Sequence, residues 1–349
     1  MDYAVAVEDQ VVHRADMDGD RLDVRVRSIT YEAENIQAYE VVRPDGNDLP
    51  TFTAGAHIDL HLNGGVVRQY SLCNNPKERH RYLFAVQREE NGRGGSKAVF
   101  EQVRVGNILT ISWPRNNFPL CEDAHFHLLL AGGIGITPLM AMIHRLCDIN
   151  ADFNLHYCTR APDRTAFREK LVPLVNEAKA FLHHDQGDPE RGLDLAALLC
   201  SYQAGTHLYC CGPSGFIKAV RRGTAHWPAG SLHFELFSPP TPTDLCSNGE
   251  SSALAVDRDV TRGAEFEVKL MRRGISLRVP REKSIVEVMR ENGIDVETSC
   301  ETGLCGTCRT HYLDGIPDHR DYVLSDEEQR HEVLICCARA KSQYLVLDR

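Results

Sequence analysis

Three stretches of the chain differ in how hydrophobic and polar positions follow one another. Between residues 20 and 122, short segments such as 22–26 and 57–62 alternate apolar and polar positions, and turn-forming clusters such as 44–48 separate them. Alternation with a period of two, broken by Gly and Asn turns, is typical of antiparallel strands. We therefore predict an antiparallel β-barrel domain over residues 20–122.

The pattern changes over residues 123–237, where apolar runs alternate with helix-like segments. The predicted strands are 126–131, 154–158, 180–183, 207–211 and 232–237, and the predicted helices are 138–147, 163–178, 194–199 and 214–222. Such alternation indicates βαβ units, and so we predict an α/β domain with a parallel sheet.

The periodicity is lost between residues 238 and 262. A Pro-rich stretch and a Ser- and Gly-rich stretch follow each other there, which predicts a linker. The remaining residues, 263–349, are predicted to form an α+β domain with two strands around 272–274 and a helix over 284–292. Residues 1–19 are predicted to be an N-terminal extension.

Composition and charge narrow the function classes. The chain of 349 residues carries a formal net charge of −10, which disfavours sequence-independent binding of nucleic acid or of an anionic membrane. The first twenty residues are acidic and lack the apolar core of a secretory signal. The uncharged run 126–143 has the minimum length of a membrane span, but its Gly and Pro residues favour a buried strand, a Gly turn and a helix start. We predict a cytoplasmic protein.

The spacing of the cysteines gives the first indication of a metal site. Among thirteen cysteines, Cys300, Cys305 and Cys308 form a C-x4-C-x2-C loop, and Cys336 follows at a distance. This is the spacing of plant-type [2Fe–2S] ligands, in which three thiolates come from one loop and a fourth from a neighbouring element. Zinc is the alternative, although structural zinc usually takes two C-x2–4-C pairs. Cys337 is expected to point away from the cluster, into the core.

Two motifs in the first domain suit a flavin. Arg68, Tyr70 and Ser71 lie on one predicted strand, where they offer a partner for phosphate, a surface for a flat ring and a hydroxyl for a ring nitrogen. The Gly-rich segment 92–96 follows and opens a helix capped by Ser96, so that backbone N–H groups form a phosphate cradle. A solvated strand and a plain Gly-rich hairpin are the alternatives.

Two further motifs, in the second domain, suit a nicotinamide dinucleotide. Residues 132–138 read Gly-Gly-Ile-Gly-Ile-Thr-Pro between a strand and a helix, and residues 211–213 read Cys-Gly-Pro at the end of a later strand. Ligands bind at the carboxyl ends of parallel strands, so both motifs are expected to face one crevice. Thr159 and Arg160 end the strand between them. Phe237 could lie over a flavin ring or belong to the core.

In this order, the motifs resemble the phthalate dioxygenase reductase and vanillate O-demethylase reductase-subunit family, part of the ferredoxin–NADP reductase superfamily. The resemblance spans residues 20 to 349 and includes two further signatures, 113–120 and 314–321. The family pattern gives no account of the N-terminal extension, of Cys210 or of the linker with its Cys246.

The resemblance implies FMN, NADH and a [2Fe–2S] cluster as cofactors, one for each domain. FMN would be bound by Arg68, Gln69, Tyr70, Ser71, Ala85, Val86, Gln87, Gly94, Gly95 and Ser96. NADH would be bound by Gly132, Gly133, Gly135, Thr137, Thr159, Arg160, Cys211, Gly212 and Pro213, with Phe237 beside the rings. Cys300, Cys305, Cys308 and Cys336 would hold the cluster. Ser71, Thr137 and Cys211 would lie closest to the reacting atoms.

The implied activity is electron transfer from NADH through the flavin to the cluster, and from there to a Rieske-type terminal oxygenase that hydroxylates or demethylates an aromatic acid. Twelve acidic residues and four arginines between Glu287 and Glu332 predict a negative surface that would steer a basic partner, unless it is merely a solvated face. A cytochrome P450 or diiron hydroxylase acceptor, a redox-sensing module and a zinc protein remain alternatives. We expect a monomer.

Overall fold

The computed structural model describes residues 21–62, 66–90, 92, 94–237, 264–298, 300–304, 306–324 and 327–349. The predicted extension and linker therefore lie outside the described residues, as does Cys246. Within the described residues, no helix is both long enough and apolar enough to cross a bilayer. The apolar run 126–143 is instead a buried strand, a 3-10 turn and the start of a helix, as predicted.

The first sheet has six antiparallel strands in the order β4-β3-β6-β1-β2-β5. A bridge between Leu72 and Phe84 joins the two ends, which closes the sheet into the predicted barrel. Its elements are β1 (Arg21–Ala33), β2 (Ile36–Val42), β3 (His57–His61), β4 (Val67–Ser71), β5 (Tyr82–Gln87), α1 (Gly95–Gln102) and β6 (Ile108–Ser112).

The second sheet is parallel, with strand order β11-β10-β7-β8-β9. Its apolar strands are covered by helices, which explains the continuous hydrophobic runs in the sequence. Its elements are β7 (Phe126–Gly132), α2 (Ile136–Asp148), β8 (Phe153–Thr159), α3 (Arg168–Asn176), β9 (Ala180–His184), α4 (Leu195–Leu199), β10 (Thr206–Cys211), α5 (Ser214–Gly223) and β11 (Leu232–Glu235).

One helix of this domain begins later than predicted. Residues 163–178 were expected to be helical, but Pro162–Arg164 form a 3-10 turn and α3 begins only at Arg168. The reason is local, because the buried Thr165 hydroxyl bonds to Thr159 and Phe167 has a left-handed backbone with φ of 58°. The predicted strand 232–237 also ends early, at Glu235.

The third sheet has five strands in the order β13-β12-β16-β14-β15 and packs against one helix. Ser284 and Glu287 form a capping box at the start of that helix, which fixes its first turn. The elements are β12 (Phe266–Leu270), β13 (Ile275–Val279), α6 (Ile285–Glu291), β14 (Arg309–Asp318), β15 (Glu332–Leu334) and β16 (Arg339–Leu347).

Candidate flavin, nicotinamide and iron–sulfur sites

The two glycine motifs of the parallel sheet meet at the carboxyl ends of β7 and β10. A Cβ atom on Gly212 would lie 2.9 Å from the Cα of Gly132, and one on Gly135 would overlap the carbonyl oxygen of Cys211. The two loops therefore touch through their backbones, and only glycine permits that approach. The structure brings the motifs together at one crevice, where backbone N–H groups and the start of α2 can meet a pyrophosphate.

Cys211 lies beside a carboxyl group that the sequence analysis did not single out. Glu235 of β11 is in register with Cys211 of β10; the Cys211 side chain is buried, and Glu235 is half-buried with its Oε2 atom buried. The Glu235 Oε2 atom has no hydrogen-bond partner among the described residues. Burial raises the pKa of Glu235 to about 8, and burial followed by the nearby carboxylate raises the pKa of the Cys211 thiol. The only sequence signal was one acid at the end of the strand Leu232–Glu235.

The other predicted nucleotide residues have different environments. The Thr137 hydroxyl donates to the Ile134 carbonyl oxygen at 3.0 Å, in the first turn of α2. Thr159 shares its buried hydroxyl with Thr165 and His184, at 2.8 and 2.9 Å, whereas Arg160 is exposed. Pro213 precedes α5 and contacts the loop at Gly132. Gly133 has a φ of 54°, which favours glycine.

Phe237 is 40% exposed, which contradicts the alternative that it belongs to the core. It lies two residues after Glu235, at the edge of the same sheet. An exposed aromatic ring in that place can cover a flat ligand.

Strand β4 supplies the predicted flavin contacts on its two faces. Tyr70 stacks on Phe84 with ring centroids 5.5 Å apart, and burial raises the pKa of Tyr70. Ser71 is buried, and Gln69 has a buried Nε2 atom without a hydrogen-bond partner among the described residues. An unsatisfied buried amide beside a buried hydroxyl suits a polar heterocycle, so these residues fit a flavin.

The start of α1 fits a phosphate group. Gly94 has a φ of 79°, and a Cβ atom on Gly95 would lie 2.6 Å from Cγ of Arg68, so the Arg68 side chain crosses the first turn of the helix. A guanidinium at a helix N-terminus favours an anion.

The prediction that Ser96 caps α1 is wrong. The helix begins at Gly95, and the Ser96 hydroxyl accepts a hydrogen bond from the Glu89 N–H at 3.0 Å. The left-handed Gly94 allows the chain to turn into the helix before Ser96 is reached.

Strand β5 lies at the end of the barrel sheet, joined to the residue after β4 by the Leu72–Phe84 bridge. Its predicted residues Ala85 and Val86 are buried and Gln87 is half-buried.

Three of the four predicted cluster ligands converge. The thiol of Cys336 is in hydrogen-bond contact with those of Cys300, Cys308 and Cys337, and these contacts raise the pKa of Cys336. The N–H groups of Thr302 and Leu304 point to Cys300 Sγ at 3.4 and 3.3 Å. Converging thiols with N–H···S contacts fit a [2Fe–2S] cluster. Cys305 lies outside the described residues.

The predicted core position of Cys337 is confirmed, but its predicted orientation away from the cluster loop is wrong. Cys337 is buried, but a Cβ atom on Gly303 would lie 2.7 Å from its Sγ, so the thiol faces the cluster loop. The peptide at 336–337 turns beneath that loop, where the Tyr322 N–H also donates to the Gly303 carbonyl oxygen at 3.0 Å.

Asp321 belongs to the buried segment beneath the cluster loop and not to the predicted negative surface. It is buried, and its carboxylate accepts from the Val323 and Leu324 N–H groups at 3.2 and 2.9 Å. One of the twelve acids is thereby removed from the predicted docking surface.

Two family models match this chain. Residues 129–222 match the oxidoreductase NAD-binding domain, and residues 268–341 match the 2Fe-2S iron-sulfur cluster binding domain. These ranges contain the glycine crevice and the described cluster cysteines respectively.

Individual proteins are similar over nearly the whole chain. The tert-butanol monooxygenase / tert-amyl alcohol desaturase reductase subunit of Aquincola tertiaricarbonis is 48% identical, over 97% of this chain and 99% of that protein. The solved structure of phthalate dioxygenase reductase is 38% identical, with a TM-score of 0.68, and the match covers 94% of this chain and 98% of that one. An intact type IV self-sufficient cytochrome P450 monooxygenase is 33% identical with a TM-score of 0.83. That match covers 94% of this chain but only 41% of the P450 chain.

Proposed function

Because the chain belongs to the phthalate dioxygenase reductase family, we propose that it is the reductase component of a Rieske-type aromatic-ring oxygenase or O-demethylase system. The similarity to these proteins confirms the predicted family, and the similarity to the solved structure confirms the predicted fold class. The protein is an oxidoreductase that transfers electrons from NADH through a flavin to a [2Fe–2S] cluster. The predicted cofactors FMN, NADH and [2Fe–2S] agree with this assignment, as does an oxygenase component as partner.

The observation that carries the proposal is that three sites, which fit a flavin, a nicotinamide dinucleotide and an iron–sulfur cluster, follow one another along one chain. Tyr70, Ser71 and Gln69 would hold the flavin ring, and Arg68 with Gly94, Gly95 and the start of α1 would hold one phosphate, which favours FMN. A bound flavin accepts two electrons from NADH and releases them singly to the cluster. The protein's own part is to place these groups and to exclude water.

We assign the nucleotide to the crevice between the two glycine loops. The backbone of Gly132–Gly135 would meet the pyrophosphate, and Arg160 is exposed where it can reach the adenosine half. Cys211 and the neutral Glu235 carboxyl would lie beside the nicotinamide, because the Cys211 thiol and the Glu235 Oε2 atom are buried at the same strand ends. Cys305 would complete the ligand set of Cys300, Cys308 and Cys336.

The negative surface of the third domain would receive the oxygenase. Its exposed acids include Glu287, Glu291, Asp295, Glu297, Glu301 and Glu327. A surface of one sign near an electron-transfer centre favours fast, weak and salt-sensitive complexes. We propose a monomer in the cytoplasm, with FMN, nucleotide and cluster domains at 20–122, 123–237 and 263–349.

A cytochrome P450 acceptor is the second candidate, because a self-sufficient P450 monooxygenase contains a similar segment. Both candidates share every step up to the cluster. Only the acceptor separates them.

The first test is an anaerobic absorbance spectrum of the purified protein before and after NADH. We expect overlapping flavin and iron–sulfur bands that both bleach. Cys308→Ser is the matched variant, in which the flavin should bleach while the cluster band is missing.

The second test supplies the reduced protein to purified Rieske-type oxygenases with aromatic acids. Product formation coupled to NADH consumption supports the proposal. Coupling to a P450 alone, with none to any Rieske oxygenase tested, would contradict it.

A further inference from the structure

The segment 113–120 is a sequence signature that neither the flavin site nor the crevice uses. It follows β6, and Arg115 exchanges backbone hydrogen bonds with His57 at 2.8 and 2.9 Å. His57 is in turn paired with Ser71 across β3 and β4. The backbone of Arg115 is therefore fixed next to the strand that carries the flavin contacts.

The Arg115 side chain joins two domains. Its Nη2 atom forms an ion pair with Asp59 of β3, whose side chain is only 2% exposed. The same nitrogen donates to the Thr307 hydroxyl of the cluster loop at 3.2 Å. A buried carboxylate restricts the guanidinium to one direction, because leaving that charge unpaired is costly.

A second contact lies beside the first. A Cβ atom on Gly306 would lie 3.3 Å from Nδ2 of Asn117, so the same segment also touches the residue before Thr307. Both contacts fall on the loop between Cys300 and Cys308.

We propose that Arg115, oriented by Asp59, is a positioning residue that docks the cluster loop onto the flavin domain through Thr307. The docking fixes the separation of the flavin and the cluster, and with it the rate at which one electron leaves the reduced flavin and reduces the cluster by one. No atom is transferred to Arg115, and its charge does not change.

Thr307→Val is the variant that tests this, because it removes the acceptor hydroxyl and leaves the Arg115–Asp59 pair intact. Thr307→Ser retains the hydroxyl and is the conservative rescue. Thr30→Val, on the exposed part of β1, controls for the exchange of Thr for Val. Arg115→Lys keeps the charge but loses the planar fork, and we expect it to resemble Thr307→Val.

Two readouts are needed. Hydrogen exchange in peptides spanning residues 300–310 of the holoprotein should be about tenfold faster in Thr307→Val, as expected for losing a hydrogen bond to a charged group. In anaerobic stopped-flow, flavin reduction by NADH should keep its rate, whereas cluster reduction should slow severalfold with the cluster potential unchanged. Thr307→Ser and Thr30→Val should match the wild type in both.

Unchanged exchange and unchanged cluster reduction in both Thr307→Val and Arg115→Lys would overturn the proposal. Equal slowing of both stopped-flow phases, or a shifted cluster potential, would also overturn it, because either means a general structural effect. Neither readout involves an oxygenase, so a failure here is distinct from a failure of the proposed function.

Discussion

Glu235 is a residue whose surroundings strongly affect its ionisation. Its Oε2 atom is buried at the crevice, and burial moves the pKa of Glu235 from the ordinary 4.5 to about 8. The folded protein thus retains a proton that the unfolded chain releases between these values. Stability should fall as pH rises through this interval, by up to about 1.4 kcal/mol per pH unit. The raised pKa of Cys211 keeps that thiol protonated over the same interval.

We predict that Glu235→Gln removes most of this pH dependence. Its melting temperature should approach that of the wild type at pH 5 and exceed it at pH 8. Scanning calorimetry at several pH values between 5 and 8 measures this. Glu190→Gln, an exposed change in the same domain, is the control and should follow the wild type. Parallel wild-type and Glu235→Gln curves would disprove the prediction.

Gly135 and Gly215 give a matched pair for the glycine loop. Gly135 precedes α2 with an ordinary helical backbone, so alanine suits its local conformation, but the added Cβ would overlap the Cys211 carbonyl oxygen and lie 2.7 Å from the Gly212 nitrogen. Gly215, near the start of α5, has open space around it. We expect Gly135→Ala to destabilise the domain by about 1–3 kcal/mol.

Gly215→Ala should instead be neutral or stabilising, by about 0.5–1 kcal/mol. Urea unfolding followed by circular dichroism compares the two. Equal effects of the two substitutions would show that the loops are not pressed together.

These residues show which parts of the sites could be predicted from the sequence. The glycine motifs and the cysteine loop were identifiable because backbone approach and thiolate ligation demand particular residue types at fixed spacing. Glu235 and Arg115 were not assigned a role, because each depends on a partner distant in the chain, namely Cys211 and Thr307. Register between non-adjacent strands and docking between domains leave no local pattern.

At the scale of elements, hydrophobic periodicity located the strands and most helices of the second domain, and local backbone conformation explains the misplaced helix starts, whereas β14, β15 and β16 of the third domain were not predicted. The start of α3 was misplaced because Thr165 and Phe167 hold the chain out of a helix. The start of α1 was misplaced because the left-handed Gly94 turns the chain before Ser96. Such conformations depend on neighbours that a periodicity analysis does not include.

The contact between β4 and α1 gives a prediction about the phosphate cradle. Alanine at Gly95 would place Cβ against the Arg68 side chain, so Arg68 must move away from the helix start. We expect Gly95→Ala to weaken FMN binding about tenfold or more, since a hydrogen bond to a charged group is lost, with the fold retained. Fluorescence quenching on titrating FMN into the apoprotein measures the affinity.

The control for this prediction is Gln102→Ala, at the far, exposed end of the same helix. Arg68→Gln should weaken binding similarly, and the double variant should be little worse than either single one, because both act through one contact. Additive losses would mean that Gly95 acts independently of Arg68.

For the whole molecule, the uneven charge distribution determines how acceptors approach. The net charge is −10, and the third domain contributes many exposed acids, including Glu301 in the cluster loop. A cationic acceptor should be attracted and an anionic one repelled. Screening should change both, because the Debye length falls from about 10 Å at 0.1 M salt to about 3 Å at 1 M.

We therefore predict opposite salt effects on two acceptors of NADH-reduced protein. Raising the ionic strength should slow reduction of cationic cytochrome c severalfold, while reduction of anionic ferricyanide stays constant or becomes faster. Glu327→Lys should weaken the salt dependence for cytochrome c, whereas Glu190→Lys, on the nucleotide domain, should have little effect. Steady-state rates at constant NADH measure all of these. If both acceptors slowed together, salt would be acting on NADH or on the cofactors, and the acidic surface would be only a solvated face.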